Sequence, residues 1–391
     1  MAKFKMGSYK LNENPNFNFQ LNRVIMWDGG RLEDVNKIAK DIHSSNDWKR
    51  SMITIGDEAN KDGRIENAIA YYRMSEFFMY DGDPDKKKYY LLATKMFYEY
   101  YSDYFKSGKV KKYKVPYEDI ELPVIFAQAE KEKKGTILLH GGNDSYMEEF
   151  FFSMLYFAEQ GYDAYLFEGP GQGGVIRVQE KHFTYEWEKP VKAVLDYLKL
   201  NEVTIIGASL GGMLAPRAAA FEDRIKRVIA WSVFTNFADV LIGTRPKKVQ
   251  SIFNFCMKHN LSFIINTIIK SKIKKGDELV KWGFFHGMYA YESKTPFEYL
   301  KKMNQYQIYN IADKIKQDVL IIGAKKDHFI DYRTVGLEIN ALTNVKSITV
   351  RIFTEQEHGE AHCNLGNLQL CLDTMIEWIQ MMKKRDKVYQ L

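Results

Sequence analysis

The stretch that most constrains this chain runs from Val203 to Ala218, V-T-I-I-G-A-S-L-G-G-M-L-A-P-R-A. A β-branched run, 203–207, leads into Gly207-Ala208-Ser209-Leu210-Gly211, and a small-residue, helix-like run follows at once. The pentapeptide G-x-S-x-G recurs by chance in long chains. A strand before it and a helix after it narrow it to one kind of turn. That turn is tight enough to need glycines beside the serine, and it holds the hydroxyl clear of the backbone above a sheet, as a nucleophile elbow does.

The same alternation extends on both sides. The segment 136–140 is a short apolar run stopped by Gly141-Gly142, and 163–167 is another stopped by Gly169-Pro170-Gly171, with helix-like sequence over 145–160 between them. A helix over about 185–200, the strand at Val203 with its helix, and a strand at 228–231 follow. Strands alternating with helices of this length predict an α/β fold whose mostly parallel, doubly wound sheet is covered on both faces. Upstream, 117–129 reads as a strand or hairpin containing Pro123, after a basic connector over 107–114. Downstream, a helical insertion over 234–313, rich in Phe, Ile, Tyr and Lys, interrupts the rhythm. The sheet pattern resumes at 319–323 and 347–353, and an amphipathic helix over 368–384 closes the chain.

The N-terminal third has another texture. Residues 1–30 are polar, Asn-rich and aromatic and read as an arm or loop, whereas 31–105 is helical in period. Ile65, Ala68, Tyr71, Tyr72, Ser75 and Phe78 share one face, and 88–105 repeats the style with Tyr89, Leu92, Met96, Tyr100 and Tyr104. The turn Asp81-Gly82-Asp83-Pro84 splits the pair. With no third copy, two helices packing their aromatics into a core are expected rather than a repeat array. The expected organisation is a helical N-terminal cap segment, 1–110, and a catalytic domain, 111–391, that carries the insertion at about 234–313.

Composition excludes several classes. A chain of 391 residues, 46% hydrophobic, can bury a large core, and its net charge of +6 is a small difference between 56 basic and 50 acidic residues. That balance describes a mixed surface and argues against a nucleic-acid partner. Cys256, Cys363 and Cys371 stand in no metal-like spacing, so a reducing, cytoplasmic setting is expected, with no disulfide framework and no metal. The first residues lack the apolar core of a secretory signal, and the longest apolar stretch, 261–269, is too short to span a bilayer. The lysine run from Lys270 to Lys275 reads as a solvated helix end, with a membrane-surface role as the alternative and no stable membrane insertion. Phe167-Glu168-Gly169-Pro170-Gly171-Gln172-Gly173 lacks the Lys-Ser/Thr pair of a phosphate loop and reads as a turn shaping a pocket.

A serine hydroxyl becomes nucleophilic only when a base takes its proton and a third group orients the base. On a sheet of this kind the chain order is Ser, then Asp or Glu, then His. Asp327, in G-A-K-K-D-H-F-I, lies just past the strand ending at Gly323, and His362, in E-H-G-E-A-H-C-N, lies past the last strand. Asp331 and Asp239 compete for the acid, and His358 and His328 for the base. The oxyanion needs donors already in place: the backbone N–H of Leu210, which begins the helix, and one from the Gly141-Gly142-Asn143 loop, Gly142 or alternatively Asn143.

Together H-G-G-N-D, F-E-G-P-G-Q-G, G-A-S-L-G-G, the turn around Asp327 and the closing A-H-C-N-L-G-N resemble the α/β-hydrolase superfamily, in the branch of FrsA-like esterases and 2,6-dihydroxypseudooxynicotine hydrolase. The resemblance runs from about residue 111 to the end, and the N-terminal helical segment is similar in placement. It implies Ser209 as nucleophile, Asp327 as acid and, as the histidine directly before Cys, His362 over His358. It further implies a cap built from the N-terminal helices and the insertion and lying over the serine, frequent homodimers, and no cofactor. The implied chemistry is hydrolysis of an ester, or carbon-carbon cleavage of a ketone-bearing small molecule such as a β-diketone or aryl ketone. At the third position of the H-G-G-N-D loop, where the branch often differs, this chain has Gly142. A non-enzymatic binding module on an inert hydrolase fold is the alternative of another class, and the presence of all three triad residues argues against it.

Overall fold

The computed structural model describes residues 4–242, 246–276 and 278–390, apart from the side chains of residues 239, 241, 242 and 279. The chain divides into two compact units, each drawn from segments far apart in sequence: one holds the residues up to Gly7, Tyr104–Phe237 and the chain from Gln307 on, the other Ser8–Asp103 and Ala238–Tyr306.

The first unit is built on one eight-stranded sheet. Its strands are β1 (Val110–Tyr117), β2 (Ile120–Ala127), β3 (Gly135–His140), β4 (Tyr162–Phe167), β5 (Val203–Ala208), β6 (Ile225–Trp231), β7 (Asp318–Ala324) and β8 (Ser347–Phe353), in the spatial order β1-β2-β4-β3-β5-β6-β7-β8. β2 runs antiparallel to β1 and β4, and the remaining pairs are parallel. Every residue of β5 and β7 is buried, as a continuous β-branched run demands in a sheet covered on both faces. From β3 the chain crosses to β4 on one side and then returns to β5 on the other. That reversal leaves a crevice outside the carboxyl ends of β3 and β5, where sheets of this class hold ligands. The chain places Gly141-Gly142 and Ser209 at those two ends.

Two expectations are corrected. The basic connector is in part β1: Lys111, Lys112 and Lys114 stand along a strand at the end of the sheet, where lysines suit an unpaired edge. The N-terminal arm contains the helix Pro15–Met26, capped by the Asn14 side chain with proline in its first turn. Its apolar period (Phe17, Leu21, Val24) is masked because the residues buried beside them include Asn16, Gln20 and Asn22. The Asn22 amide is satisfied by the backbone of Tyr9 and Asn18, so burying it carries little penalty.

The second unit is helical, and both of its segments share one aromatic core. Trp48 packs edge-on against Phe78, at 5.0 Å between ring centroids, and stacks with Phe17. Trp282, from the insertion, stacks on Phe77 at 5.2 Å and donates its indole N–H to the Phe77 carbonyl. Ser45, opening the helix Ser45–Lys61, donates to the Glu278 carboxylate at 2.5 Å. The turn before the helix Pro84–Tyr100 is closed by Asp83, whose side chain caps it. Lys86 and Glu76 form a buried pair at 2.8 Å.

Candidate active site

The site begins with the turn after β5. Ser209 has φ +58°, the left-handed region that a non-glycine residue enters only under constraint, and its N–H donates to the Trp231 carbonyl at the end of β6. The helix Gly211–Phe221 starts immediately, so its backbone folds back over the strand. A methyl group on Gly207 would lie 2.0 Å from the Gly211 carbonyl oxygen, which is why small residues must flank the serine. Leu210 is the N-cap of that helix, and among the described residues no acceptor takes its N–H. A free amide at a helix start is a ready donor to negative charge.

Asp327 and His362 come to the same point from other strand ends. The His362 imidazole donates from Nδ1 to Asp327 Oδ2 at 2.6 Å, and its Nε2 lies 2.9 Å from Ser209 Oγ, whose hydroxyl donates to it. Asp327 is itself oriented, since its Oδ1 accepts the N–H groups of Phe329 and Ile330 at 2.9 and 3.0 Å. The Phe329 ring stands edge-on to the imidazole, 5.1 Å between centroids. Burial disfavours the imidazolium of His362, but the Asp327 carboxylate and, less strongly, Cys363 outweigh it and hold the histidine well above its ordinary range.

The rival residues are engaged elsewhere. Asp331 caps the turn Tyr332–Thr334 and pairs with Arg333 at 2.7 Å. His358 is exposed. His328 packs its ring on Phe329, and burial lowers its pKa to about 4. The Asp239 side chain lies outside the described residues.

The loop after β3 closes the other side. A Cβ on Gly142 would stand 2.7 Å from the Leu210 nitrogen and 2.8 Å from Ser209 Cβ, so this glycine lies directly against the elbow. Its own N–H, however, is donated to Ser145 Oγ at 2.8 Å. The loop therefore lies beside the serine turn, with the Gly142 N–H occupied by Ser145.

Two positioning residues escaped the sequence reading. Gln172, almost wholly buried, donates from Nε2 to the carbonyls of Gly141 and Gly142 at 2.8 and 3.1 Å and accepts the Gly169 N–H on Oε1 at 3.0 Å. Beside it the buried carboxyl of Glu168 accepts the N–H groups of Met147 and Gly174, and burial, with the Glu148 charge, raises its pKa to about 8. The turn 167–173 is thus a brace for the loop. Asn364 does the same for the histidine: its Oδ1 accepts the Trp231 indole N–H at 3.0 Å, and its amide donates to Gly359 at 2.9 Å. Both residues lie within motifs that the sequence displays, F-E-G-P-G-Q-G and A-H-C-N, whose spacing alone does not reveal these partners.

Among the described residues no group of three His, Cys, Asp or Glu is placed to hold a metal ion. A cavity of about 880 Å³ lies at the amino ends of the strands, lined by strand-starting residues such as Gly135, Ile225 and Asp318, and is not placed to serve Ser209.

A family model described as the alpha/beta hydrolase fold matches residues 137–359. Among curated proteins the chain is similar to alpha/beta hydrolase psoB of Aspergillus fumigatus, 25% identical over 422 aligned positions covering 95% of this chain and 94% of that one. It is also similar to 20-hydroxy-prefusarin hydrolase FUS2 of Gibberella moniliformis, 28% identical over 351 positions, covering 83% and 82%. Among solved structures, 2,6-dihydroxy-pseudo-oxynicotine hydrolase superposes with a TM-score of 0.61 at 18% identity over 91% of this chain and 94% of that one. AbyA5 superposes with a TM-score of 0.64 at 15% identity over 90% and 89%.

Proposed function

Because the chain belongs to the α/β-hydrolase fold family, we propose that it is a serine hydrolase that cleaves a carboxylic ester or related carbonyl compound through Ser209, His362 and Asp327. The observation that carries this reading is the unbroken relay from Asp327 Oδ2 through His362 to Ser209 Oγ, at 2.6 and 2.9 Å.

In this mechanism Ser209 Oγ attacks the carbonyl carbon while His362 Nε2 takes the hydroxyl proton. Asp327 fixes the imidazole as the tautomer with hydrogen on Nδ1 and stabilises its charged form. The carbonyl oxygen, now an oxyanion, is met by the Leu210 N–H and a second N–H of the Gly142-Asn143 turn, with Gly142 releasing Ser145 to do so. Collapse of the intermediate expels the leaving group, which receives the proton from His362, and leaves an acyl ester on Ser209. Water, deprotonated by His362, then attacks the ester, and the acid departs as Ser209 regains its proton.

The many aromatic residues of the sequence suit an apolar or aromatic acyl or leaving group, since enclosure of a substrate needs apolar lining more than charge. Carbon-carbon hydrolysis of a β-diketone or aryl ketone is the second reading. It uses the same relay and differs in the group expelled.

Labelling with a fluorophosphonate tests the serine: modification confined to Ser209 and abolished in Ser209→Ala is expected, and folded protein that takes no label overturns the enzyme reading in favour of an inert module. Parallel panels of aryl esters and of β-diketones then distinguish the two reactions.

A further inference from the structure

The helices Lys247–Lys258 and Ser262–Lys274 of the helical unit pack against each other and leave several apolar side chains exposed. A helix that packs on one side normally presents a polar back to water. Ser262–Lys274 does not. Ile265, Ile269 and Ile273, one turn apart in succession, form its inward stripe, with Ile265 buried. Ile264 and Ile268 repeat the spacing on the other side and are 42% and 47% exposed, and Phe263 is 80% exposed. In the partner helix Cys256 is buried, while Val249, Ile252 and Phe255 are exposed, Phe255 by 57%.

The charge around these groups has one sign. Residues 246–276 contain seven lysines and no aspartate or glutamate, and Lys270, Lys272, Lys274 and Lys275 crowd the end of the second helix. All seven lysines are exposed. A second copy of the chain meeting this face through a two-fold contact would set lysines against lysines with no carboxylate between them. A peptide needs walls around its anchors, and Phe263 at 80% exposure has none. An anionic bilayer supplies both missing partners, an acyl boundary for the aromatic and aliphatic groups and headgroup charge for the lysines.

We propose that the outward face of these two helices docks the protein peripherally on an anionic phospholipid membrane, with Phe255, Phe263, Ile264 and Ile268 entering the headgroup boundary and the lysines pairing with lipid phosphates. No helix of the described residues is long and apolar enough to cross a membrane, so the contact is interfacial. For the run from Lys270 to Lys275, the isoleucines exposed just upstream favour the membrane-surface alternative over the solvated helix end. The inference is independent of the reaction assigned to Ser209.

Sedimentation of the full chain with phosphatidylcholine vesicles, with and without phosphatidylserine, tests it. Co-pelleting with the phosphatidylserine vesicles that weakens as salt rises is expected. The combined variant Lys270→Glu, Lys272→Glu, Lys274→Glu, Lys275→Glu should lose roughly tenfold or more in vesicle affinity, and Phe263→Ser with Ile264→Ser and Ile268→Ser should lose a comparable amount. Thermal melting of each variant checks that the fold is kept. Protein that stays in the supernatant with phosphatidylserine vesicles overturns the proposal, as does pelleting that either set of substitutions leaves unchanged. Light scattering that shows a dimer dissociated by the Phe263 variant also overturns it.

Discussion

His362 Nε2 lies 2.9 Å from Ser209 Oγ although 153 residues separate the two in sequence. Each sits at the carboxyl end of its own part of the sheet, and each is bonded to Trp231 at the end of β6: Ser209 through its N–H to the Trp231 carbonyl, the histidine loop through Asn364 to the indole. One residue on a neighbouring strand therefore anchors both the serine turn and the histidine loop.

Ser209→Ala and His362→Ala should each lower kcat by about four to six orders of magnitude, because the relay acts as a unit. Hydrolysis of a short aryl ester measures this. Wild-type turnover in either variant would remove the triad assignment.

The pH profile follows from the His362 environment. Burial alone would lower its pKa, but Asp327, helped by Cys363, raises it well above the ordinary value. In the proposed mechanism the working base is the neutral imidazole, so the acid limb of kcat/KM should lie above about pH 6.5. Asp327→Asn should move that limb down and lower kcat by about 10,000-fold. The raised value also makes this proton stabilise the fold fully below about pH 6.5, and that stabilisation is lost as pH rises through the folded-state value. An acid limb at the same pH in wild type and Asp327→Asn would contradict the coupling.

Gly142→Ala places a methyl group about 2.7 Å from both the Ala208 oxygen and the Leu210 nitrogen. It fills the space in which an oxyanion would meet the Leu210 N–H. Loss of one such donor costs about 100- to 1000-fold in kcat, so a drop of that order is expected, with KM changed much less.

Gln172→Glu keeps the size of the side chain but removes the amide that holds the Gly141 and Gly142 carbonyls. A shift of the loop by about 1 Å can cost about 100-fold in rate. The expected signature is a fall in kcat of the folded protein without a matching rise in KM, over and above the lowered thermal midpoint that a buried carboxyl facing two carbonyls brings. A purely structural role would lower the midpoint and leave the kinetics of the folded fraction unchanged.

His140 ends β3 fully buried, its Nδ1 donating to the Gly141 carbonyl, and burial lowers its pKa to about 4. The unfolded chain titrates near pH 6.5, so it binds more protons than the folded one between the two values and stability falls as pH drops through that window. The loss is about 1.4 kcal/mol per pH unit for such a group. Denaturant midpoints across the window should show a shallower pH dependence in His140→Gln, and an unchanged slope would refute the assignment.

Much of the fold was legible because its signals are local. Short β-branched runs, the stops at Gly141-Gly142 and Gly169-Pro170-Gly171, and the strand–turn–helix around Ser209 each record the period or the turn of a few neighbouring residues. The strand at 347–353 has those bounds in the structure, and the closing helix runs on only to Tyr389. What escaped was local sequence carrying the wrong composition: asparagines buried in the helix Pro15–Met26, and lysines along β1, whose place at the edge of the sheet nothing in the run announces.

By itself the sequence determined the parallel sheet, the elbow, and the order in which Ser209, Asp327 and His362 occur. Tertiary structure alone decided what depends on groups more than a hundred residues apart: that Trp231 meets Asn364, that Trp282 joins the core of Trp48 and Phe78, and which acid and histidine stand beside the serine. It also decided that Ser145 occupies the Gly142 N–H and that Gln172 braces that loop from the next strand's turn. Periodicity encodes which side of an element is apolar. It does not encode which distant backbone group a buried amide or indole will satisfy, because that choice is fixed only when the chain has closed around it.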